Sequence, residues 1–504
     1  MGTKINSNYS DLLTFTRASK GHALRPVSYG DDLFDSDTSN WSRGVFSVDG
    51  TLVYSANQLT HTLGSGDTSG ARWVLPITCV VGEVLRLTVD SVAIGNGATS
   101  GGIGITANSN GSGYSDDVSI SAGGTEVRVP ATATTMYLTI TTSGSSGATT
   151  TVTNVTVKKA IFDQPDGTLT LFEHPDNVPR VEWDADRNRL GLLVEESRTN
   201  NITNSESCNF VDESGGTVTA STTPAPYGTS STVKRVQSST LNGGGRLQVT
   251  ILTGGDNYCS VYVRSRTGAD QNLKITASGT TGATQVAPAS GDWVRLGRVA
   301  SLGAGSRDIR VLSTGDTIDL DIALPQVEFG SFPTSYMKTT GSTAIRSADV
   351  ASIPVADFGY NQSAGTFFVE AEVFSTAITN AGDLALADAA GTPDMATGSR
   401  SGSSAEGYYS VWFRESNNTQ AYLNEGPVIT NNTTYKAAFC YKTNDFASSV
   451  DGNTVITDSS GTVPTRNDLL LIGSNYYGKL NGHIKSIKYY PRRLSDAQLQ
   501  DLTS

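Results

Sequence analysis

Two acidic residues lie two positions apart in an apolar run, and this spacing could support catalysis. Glu370 and Glu372 belong to the segment Phe368–Phe374, in which charged and apolar residues alternate. On a β-strand both carboxyl groups would face the same side, and paired carboxyl groups perform glycoside hydrolysis. The same alternation is typical of a strand with one face in solvent. We favour the solvated strand face, predict no catalytic residues, and do not expect the chain to be an enzyme.

Metal-binding chemistry has one weak candidate. Asp184, Asp186, Asn188 and Glu195 match positions one, three, five and twelve of a calcium-binding loop. The sixth position, where the sharp turn requires glycine, is Arg189, and no flanking helices are indicated. A polar hairpin turn is the favoured interpretation. We therefore predict no metal site and no cofactor, and a bound calcium ion has no support in this pattern.

The histidines and cysteines do not suggest a further site. They are far apart, with neither ligand spacing nor CxxC pairs. The residues concerned are His22, His61, His174, His483, Cys79, Cys208, Cys259 and Cys440. We expect surface or core histidines and free thiols, in a chain made in a reducing cytoplasm.

Aromatic residues beside polar ones are the best candidates for ligand contact. The C–H face of a sugar stacks on an aromatic ring, while neighbouring Asn, Asp and Arg side chains bind its hydroxyl groups. The candidate glycan-binding residues are Tyr408, Tyr409, Trp412 and Arg414 in one segment, and Asn475, Tyr476 and Tyr477 in a loop. On a strand, Tyr408 and Trp412 would face one side and Tyr409 the other, so part of the first group is expected in the core.

The elements that must position these residues are mainly strands. Short runs rich in Val, Ile, Thr, Tyr and Phe alternate with Gly, Ser, Asn and Asp clusters at roughly 8–12-residue spacing, a pattern typical of β-sandwiches. One helix is predicted at the end of the chain, where Ser495 and Gln498 form a capping box and Leu494 and Leu499 can form a hydrophobic staple.

We predict an all-β fold of three jelly-roll or β-sandwich domains in series with one short C-terminal helix. Residues 1–30 form a polar N-terminal segment, 31–160 the first sandwich, 161–345 the second with a linker hairpin, and 346–504 the third. The first two sandwiches share a length and rhythm that suggest a divergent repeat.

Composition excludes several classes of protein. The 504 residues carry 36 basic and 48 acidic side chains, a net charge of −12, which argues against nucleic acid as a partner. Because no apolar run approaches the roughly 18 residues that span a bilayer, membrane insertion is not expected. The N-terminus carries no secretory signal peptide pattern.

Three segments resemble a recurring set in head-fibre and tail-fibre proteins of tailed bacteriophages. They are Leu13–Ser19, Gly191–Asn200 and Gln326–Tyr336, the last followed by Thr339-Thr340-Gly341. The first two are usually close together in that pattern, whereas more than 150 residues separate them in this chain, which suggests that the first sandwich is an insertion.

The fibre resemblance also implies partners. It implies a virion location, homotrimers, and contacts with other virion proteins such as the capsid, a portal or adaptor, or the tail. Leu12, Leu13 and Phe15 form the one apolar patch of the N-terminal segment and are the candidates for virion attachment. The alternative is that Leu13 and Phe15 add a strand to the second sandwich.

The C-terminal domain resembles laminin-G-like or concanavalin-like lectin sandwiches. The resemblance rests on Ser363–Phe374, Ser449–Val455 and Gly482–Ser495, and it implies two antiparallel sheets that recognise glycans or proteins. The two upstream sandwiches are similar to carbohydrate-binding modules in their strand rhythm.

The hypothesis from sequence is a bacteriophage fibre or spike protein that holds the virion by its N-terminal part and adsorbs to host surface polysaccharide. Two alternatives remain open. One is a capsid decoration or tail adaptor protein with a purely structural role. The other is a polysaccharide depolymerase, with Glu370 and Glu372 as its candidate residues.

Overall fold

The computed structural model describes residues 3–4, 13–68, 70–80, 82–109, 118–120, 122–130, 133–375, 382–390, 393–395, 397–401, 407–415, 418–423, 426–465, 467–475 and 478–504. Within these residues the strands pair antiparallel, and the α-helical part is Asp496–Thr503. The predicted all-β, multi-sandwich fold with a short C-terminal helix is thereby confirmed. None of the helices found in this part of the chain is long and apolar enough to cross a membrane.

The chain divides into two compact units. The smaller unit, residues 26–169 and 173–178, contains most of the first sandwich, and the larger unit, residues 1–25, 170–172 and 179–504, contains the second and third. In the smaller unit, Val84–Val89 shows why strands form: Leu85 and Leu87 alternate inward and are fully buried.

The first sandwich is built from three sheets, whose strands follow one another in space as named. The first sheet consists of Val118–Ile120, Ala98–Thr106, Thr135–Gly144, Ala71–Thr78 and Ser42–Arg43. The second consists of Gly123–Arg128, Val84–Val89, Thr156–Phe162, Gly21–Asp32 and Thr168–His174. The third consists of Thr51–Ser55, Gln58–Thr62, Thr149–Thr153 and Ser91–Gly95.

The second sandwich packs two five-stranded sheets around one core. The first sheet runs Val211–Glu213, Gly244–Ile251, Gly305–Ser313, Gln271–Ala277 and Gln285–Ala287. The second runs Thr217–Ala220, Lys234–Ser238, Ile318–Phe329, Gly255–Ser265 and Val294–Leu302. Inward side chains of both sheets, such as Val249 and Val261, share this core.

The third sandwich is larger and has three sheets around its core. The first contains Val181–Trp183, Arg189–Val194, Gly482–Tyr490, Ala364–Val373, Thr434–Lys442, Phe446–Val450 and Ile456–Asp458, with Thr3–Lys4 beside Gly482–Tyr490. The second contains Thr14–Thr16, Val350–Pro354, Leu469–Ile472, Leu384–Ala387 and Pro393–Met395. The third contains Thr397–Ser401, Gly407–Glu415 and Asn418–Leu423, with Val428–Ile429 beside Gly407–Glu415.

Shorter elements complete the described part of the chain. A two-stranded sheet joins Arg198–Asn200 to Ala344–Arg346. The 3₁₀ helices are Thr38–Asn40, Ser205–Ser207, Pro226–Gly228 and Val355–Phe358. Asp496–Thr503 begins at the predicted capping box, in which the Ser495 hydroxyl accepts from the Gln498 amide and Gln498 Oε1 accepts from the Ser495 amide at 3.0 Å. Leu494, before the helix, and Leu499, within it, are buried in one apolar cluster.

Two segments contribute strands to the third sandwich although their sequence placed them elsewhere. Thr14–Thr16 pairs with Val350–Pro354, whereas residues 1–30 were expected to form a separate segment, with the second sandwich as the alternative. The hairpin of Val181–Trp183 and Arg189–Val194 adds to Gly482–Tyr490, not to the second sandwich. Both additions depend on long-range pairing, which strand periodicity cannot reveal.

Candidate functional site

The strand Gly407–Glu415 divides its side chains between the core and the outer side of its sheet. Tyr409 is 1% exposed and belongs to the core of the third sandwich. Tyr408 is 41% exposed, and Trp412 and Arg414 share its parity along the strand. The structure therefore brings three of the four candidate residues of this segment to one outer surface and assigns Tyr409 a packing role.

A cross-strand aromatic stack dominates that surface. Trp412 pairs with Tyr422 in the register between Gly407–Glu415 and Asn418–Leu423. Their ring centroids lie 5.4 Å apart with the planes 7° from parallel, and Cζ of Arg414 lies 5.7 Å from the Trp412 ring centroid. We call Tyr408, Trp412, Arg414 and Tyr422 the aromatic face.

The stack decides which rings a ligand could touch. Tyr422 covers one side of the Trp412 indole, so Trp412 supports its neighbour, while Tyr422 at 37% and Tyr408 at 41% exposure offer their rings to solvent. Tyr422 was not among the residues predicted from sequence. Its alternation along Asn418–Leu423 places it outward, but its partnership with Trp412 depends on the register between two strands, which no local pattern fixes.

A hydrogen-bonded carboxylate borders the aromatic face. The Tyr422 backbone amide donates to Oδ2 of Asp458 at 3.3 Å, and the Ser460 amide and hydroxyl donate to Oδ1 at 3.0 and 2.8 Å. Burial alone would raise the pKa of Asp458, but the hydrogen bonds from Ser460 and Tyr422 outweigh it and hold this pKa below its ordinary value. A charged acceptor therefore lies beside the backbone of the exposed Tyr422, and hydrogen bonds to a charged acceptor are stronger than those to a neutral one.

The second group of predicted glycan-binding residues, Asn475, Tyr476 and Tyr477, follows a strand of another sheet of the third sandwich. Asn475 follows Leu469–Ile472, and its Oδ1 accepts from the Gly478 amide at 3.0 Å. This bond closes a turn in the way Asn commonly does. Tyr476 and Tyr477 lie outside the described residues, so their glycan-binding role stays a prediction.

Glu372 belongs to a charged cluster on the outer side of the largest sheet. His483 Nε2 lies 2.8 Å from Glu182 Oε2, and His483 Nδ1 lies 3.7 Å from Glu372 Oε2. Lys485 Nζ also lies 3.7 Å from Glu372 Oε2. Hydrogen bonding to His483 lowers the pKa of Glu372 despite burial. Burial alone would lower the pKa of His483, but Glu182 and Glu372 raise it to about 9. Glu370 lies on the same side of its strand.

The calcium-loop pattern divides into two separate structures. The Asp184 carboxylate accepts from the amide and the Nδ2 of Asn188 at 2.7 and 2.9 Å, as the predicted polar hairpin turn requires. Glu195 is fully buried and pairs with arginines. Among the residues that the structure describes, no group of three or more His, Cys, Asp and Glu side chains is arranged to hold a metal ion.

Glu195 is part of a buried cluster of three arginines and two acids. Arg180 Nη2 lies 2.8 Å from Glu195 and 2.5 Å from Asp349, Arg17 lies 3.3 Å from Asp349, and Arg346 lies 3.2 Å from Glu195. Burial would raise the pKa of Glu195, yet the arginines and hydrogen bonds lower it to about 2. Burial and the neighbouring Arg180 lower the pKa of Arg17 to about 10. We call these five residues the buried charge cluster.

The three recurring segments meet at this cluster. Arg17 comes from the first, Glu195 from the second, and Ser335, from the third, donates its amide and hydroxyl to Glu195, both at 2.7 Å. Beside them the Thr334 amide donates to the fully buried Glu328 at 2.9 Å. The recurring set thus builds one polar core that joins the second and third sandwiches.

The described residues among the predicted attachment residues pack against the third sandwich. Phe15 is 7% exposed in the core of the third sandwich, and Leu13 packs against that core, so a partner protein cannot reach the Phe15 ring. Leu12 lies outside the described residues. Virion attachment by this segment stays a prediction. Phe15 does add to a strand, as the alternative expected, but the strand belongs to the third sandwich and not to the second.

Comparison with known proteins finds solved structures of low similarity. No family model and no curated protein matches the chain. Domain 4 of a GH43 extracellular arabinanase from Geobacillus stearothermophilus is 14% identical, covering 35% of this chain and 84% of that one with a TM-score of 0.24. A CBM22 tandem domain from Paenibacillus barcinonensis is 11% identical, covering 62% and 98% with a TM-score of 0.21. A Trypanosoma rangeli sialidase is 10% identical, covering 96% and 94% with a TM-score of 0.23.

These neighbours correct one sequence-based prediction. The prediction that the chain is not an enzyme is contradicted, because the similar structures include sialidases and a domain of an arabinanase. The exclusion of enzymatic function is therefore withdrawn. An activity is not established in its place, since likenesses with TM-scores of 0.24 and below carry no argument about function.

Proposed function

We propose that this chain is a fibre or spike protein of a bacteriophage virion, and that its third sandwich adsorbs to host surface glycans through the aromatic face. The observation that carries the proposal is the exposed Tyr422 ring stacked on Trp412, with Arg414 over the same indole. The exposed Tyr408 shares the parity of Trp412 along the strand. An aromatic ring with a polar tip suits an alternately apolar and hydroxylated ligand such as a sugar.

The surrounding polar groups support the same ligand class. Arg414 supplies donors and Asp458 supplies charged acceptors at the border of the face. The stack with Trp412 orders Tyr422 before a ligand arrives, which reduces the entropy lost on binding. An open surface of this kind binds one sugar weakly, and a trimeric fibre would raise the overall affinity through multivalency without new contacts.

The fibre part of the proposal rests on the three recurring segments. These segments resemble phage fibre proteins in sequence, and their meeting in the buried charge cluster supports a common scaffold role for the whole set. We place the protein in the virion, with capsid, portal, adaptor or tail proteins as partners near its N-terminal segment.

The test is binding of the purified, fluorescently labelled chain to a panel of bacteria, measured by flow cytometry before and after periodate oxidation of the cell-surface sugars. We expect binding to some strains, its loss after periodate, and a reduction of at least about tenfold in Tyr422→Ala. Val286→Ala, which removes a 44% exposed side chain from the second sandwich, is the matched control and should bind like the native chain.

Two results would overturn the proposal. Binding that survives both periodate and Tyr422→Ala would exclude the aromatic face as a glycan site. Release of reducing ends from the polysaccharide of a bound strain, abolished by Glu370→Gln, would make the chain a depolymerase acting at the outer side of the largest sheet.

A further inference from the structure

The second sandwich contains a groove that the aromatic face does not include. Its volume is about 670 Å³, within the range of roughly 300–1,000 Å³ typical of small-molecule sites. The groove follows the strand Gly244–Ile251 and is bordered by the segment from Asn201 to Asn204 and by Asn209. All of these residues belong to the larger unit.

The wall of the groove is held in place by buried hydrogen bonds. Asn201 is 4% exposed; its Oδ1 accepts from the Leu252 amide at 3.2 Å and its Nδ2 donates to the Val327 carbonyl at 3.1 Å. Because these groups are fixed without a ligand, the groove is pre-formed.

The lining presents neutral hydrogen-bonding groups. Asn209, Gln248 and Thr250 are exposed there and, within the described part of the chain, make no side-chain hydrogen bond. Side-chain amides and hydroxyls both donate and accept, as sugar hydroxyls do.

Two neighbouring acidic side chains balance the positive charge of the groove. Arg246 is the charged residue of the lining, and it lies 3.2 Å from Glu213 and 3.6 Å from Asp308. Two acids therefore already neutralise its guanidinium, so an anionic ligand gains little there. The exposed side chains of Val211 and Leu252 add two apolar contacts to the lining.

We propose that this groove is a second glycan site, which takes a neutral oligosaccharide of a few units. The proposal rests on the proposed function, adsorption to host glycans, and extends it to a second domain. Both ends of the groove limit its length: Val211–Glu213 pairs with Gly244–Arg246 at one end, and the Asn201–Leu252 hydrogen bond closes the other. A short ligand fits between these two ends, whereas an extended peptide that pairs with the sheet as an additional long strand does not.

The test measures binding of the whole 504-residue chain to immobilised neutral oligosaccharides of three to five units. The neutral series are built from glucose, galactose, mannose, xylose and arabinose, and a uronic acid series is the charged comparison. We expect the native chain to bind at least one neutral series and Gln248→Ala to weaken that binding about tenfold or more. Asn272→Ala, an exposed amide on another strand of the same sheet, is the matched control and should bind normally. Equal thermal unfolding of the variants checks that each is folded.

The outcomes separate this site from the aromatic face. Loss of binding in Gln248→Ala with retention in Tyr422→Ala supports the groove even if the aromatic face fails. Loss in Tyr422→Ala with full retention in Gln248→Ala overturns the groove and leaves the proposed function intact. Binding of the uronic acid series alone would also overturn the groove as a neutral glycan site. Self-association of the chain that Gln248→Arg abolishes would overturn it too, because the groove would then bind another copy of this chain.

Discussion

His483 and Glu182 form a charged pair across two strands, with Nε2 of the imidazole 2.8 Å from the carboxylate. Glu182 lies in the hairpin of Val181–Trp183 and Arg189–Val194, and His483 lies in the strand that receives this hairpin. The pair therefore fixes the hairpin to the third sandwich at a point outside the backbone ladder. Since the partner is a histidine, this attachment depends on pH.

Raising the pH should weaken the third sandwich through His483. The folded-state pKa is raised to about 9 by Glu182 and Glu372, against an ordinary value of 6.5. A raised pKa means that the stabilisation is complete below about pH 6.5 and is lost as the pH rises through about 9. The groups that face the imidazole are Glu182, Glu372 and the Phe374 ring, whose centroid lies 5.1 Å from that of His483. Lys485 acts on the imidazole indirectly, because it pairs with Glu372.

The measurement is thermal unfolding of the native chain and of His483→Gln at intervals from pH 6 to pH 10. The difference in melting temperature between the two should shrink steadily above pH 6.5. A difference that stays constant to pH 10 would show that His483 is neutral in the folded protein.

Replacing Glu195 by Gln should destabilise the protein by about 3–5 kcal/mol. The change leaves Arg17, Arg180 and Arg346 buried opposite Asp349 alone. Because the pKa of Glu195 is lowered to about 2, its stabilisation is present above about pH 4.5 and is lost as the pH falls through about 2.

Unfolding in guanidinium chloride at pH 7 measures this loss. Asp445→Asn is the control, since the partly exposed pair of Asp445 with Arg493 at 2.9 Å should contribute at most about 1 kcal/mol. Equal effects of the two substitutions would mean that the buried charge cluster contributes no more than a surface ion pair.

Replacing Phe15 by Ala should also destabilise the third sandwich, by about 3–5 kcal/mol. The ring is 7% exposed in the core and lies 5.6 Å from the Arg17 guanidinium carbon. Urea unfolding of Phe15→Ala and of Leu13→Ala, whose side chain is only half-buried, compares the two positions. A Phe15→Ala protein as stable as the native chain would return Phe15 to the attachment surface that the sequence suggested.

Local patterns predicted the elements well, because they depend on neighbouring residues. The capping box of Ser495 and Gln498 needs only four consecutive positions, and it forms as expected. The opposite directions of Tyr408 and Tyr409 follow from strand alternation alone. The all-β class likewise follows from runs of β-branched and aromatic residues between turn clusters.

Long-range relationships could not be predicted, because they depend on register and topology. The stack of Trp412 on Tyr422 requires the pairing of two strands, and the groove beside Gln248 requires a segment some forty residues earlier in the chain. The cluster around Glu195 unites charges from five separate positions, and the sequence alone suggested no more for Glu195 than a family segment or a calcium ligand.

The bond between Arg17 and Asp349 also has a consequence for biosynthesis. The two residues are 332 positions apart, so Arg17 leaves the ribosome long before its acidic partner is translated. Until then its guanidinium must remain hydrated and the strand Thr14–Thr16 has no Val350–Pro354 to pair with. Such distant closure makes this part of folding slow and late. A chain released by premature termination before residue 349 cannot complete the third sandwich, because it lacks both Asp349 and the strand Val350–Pro354.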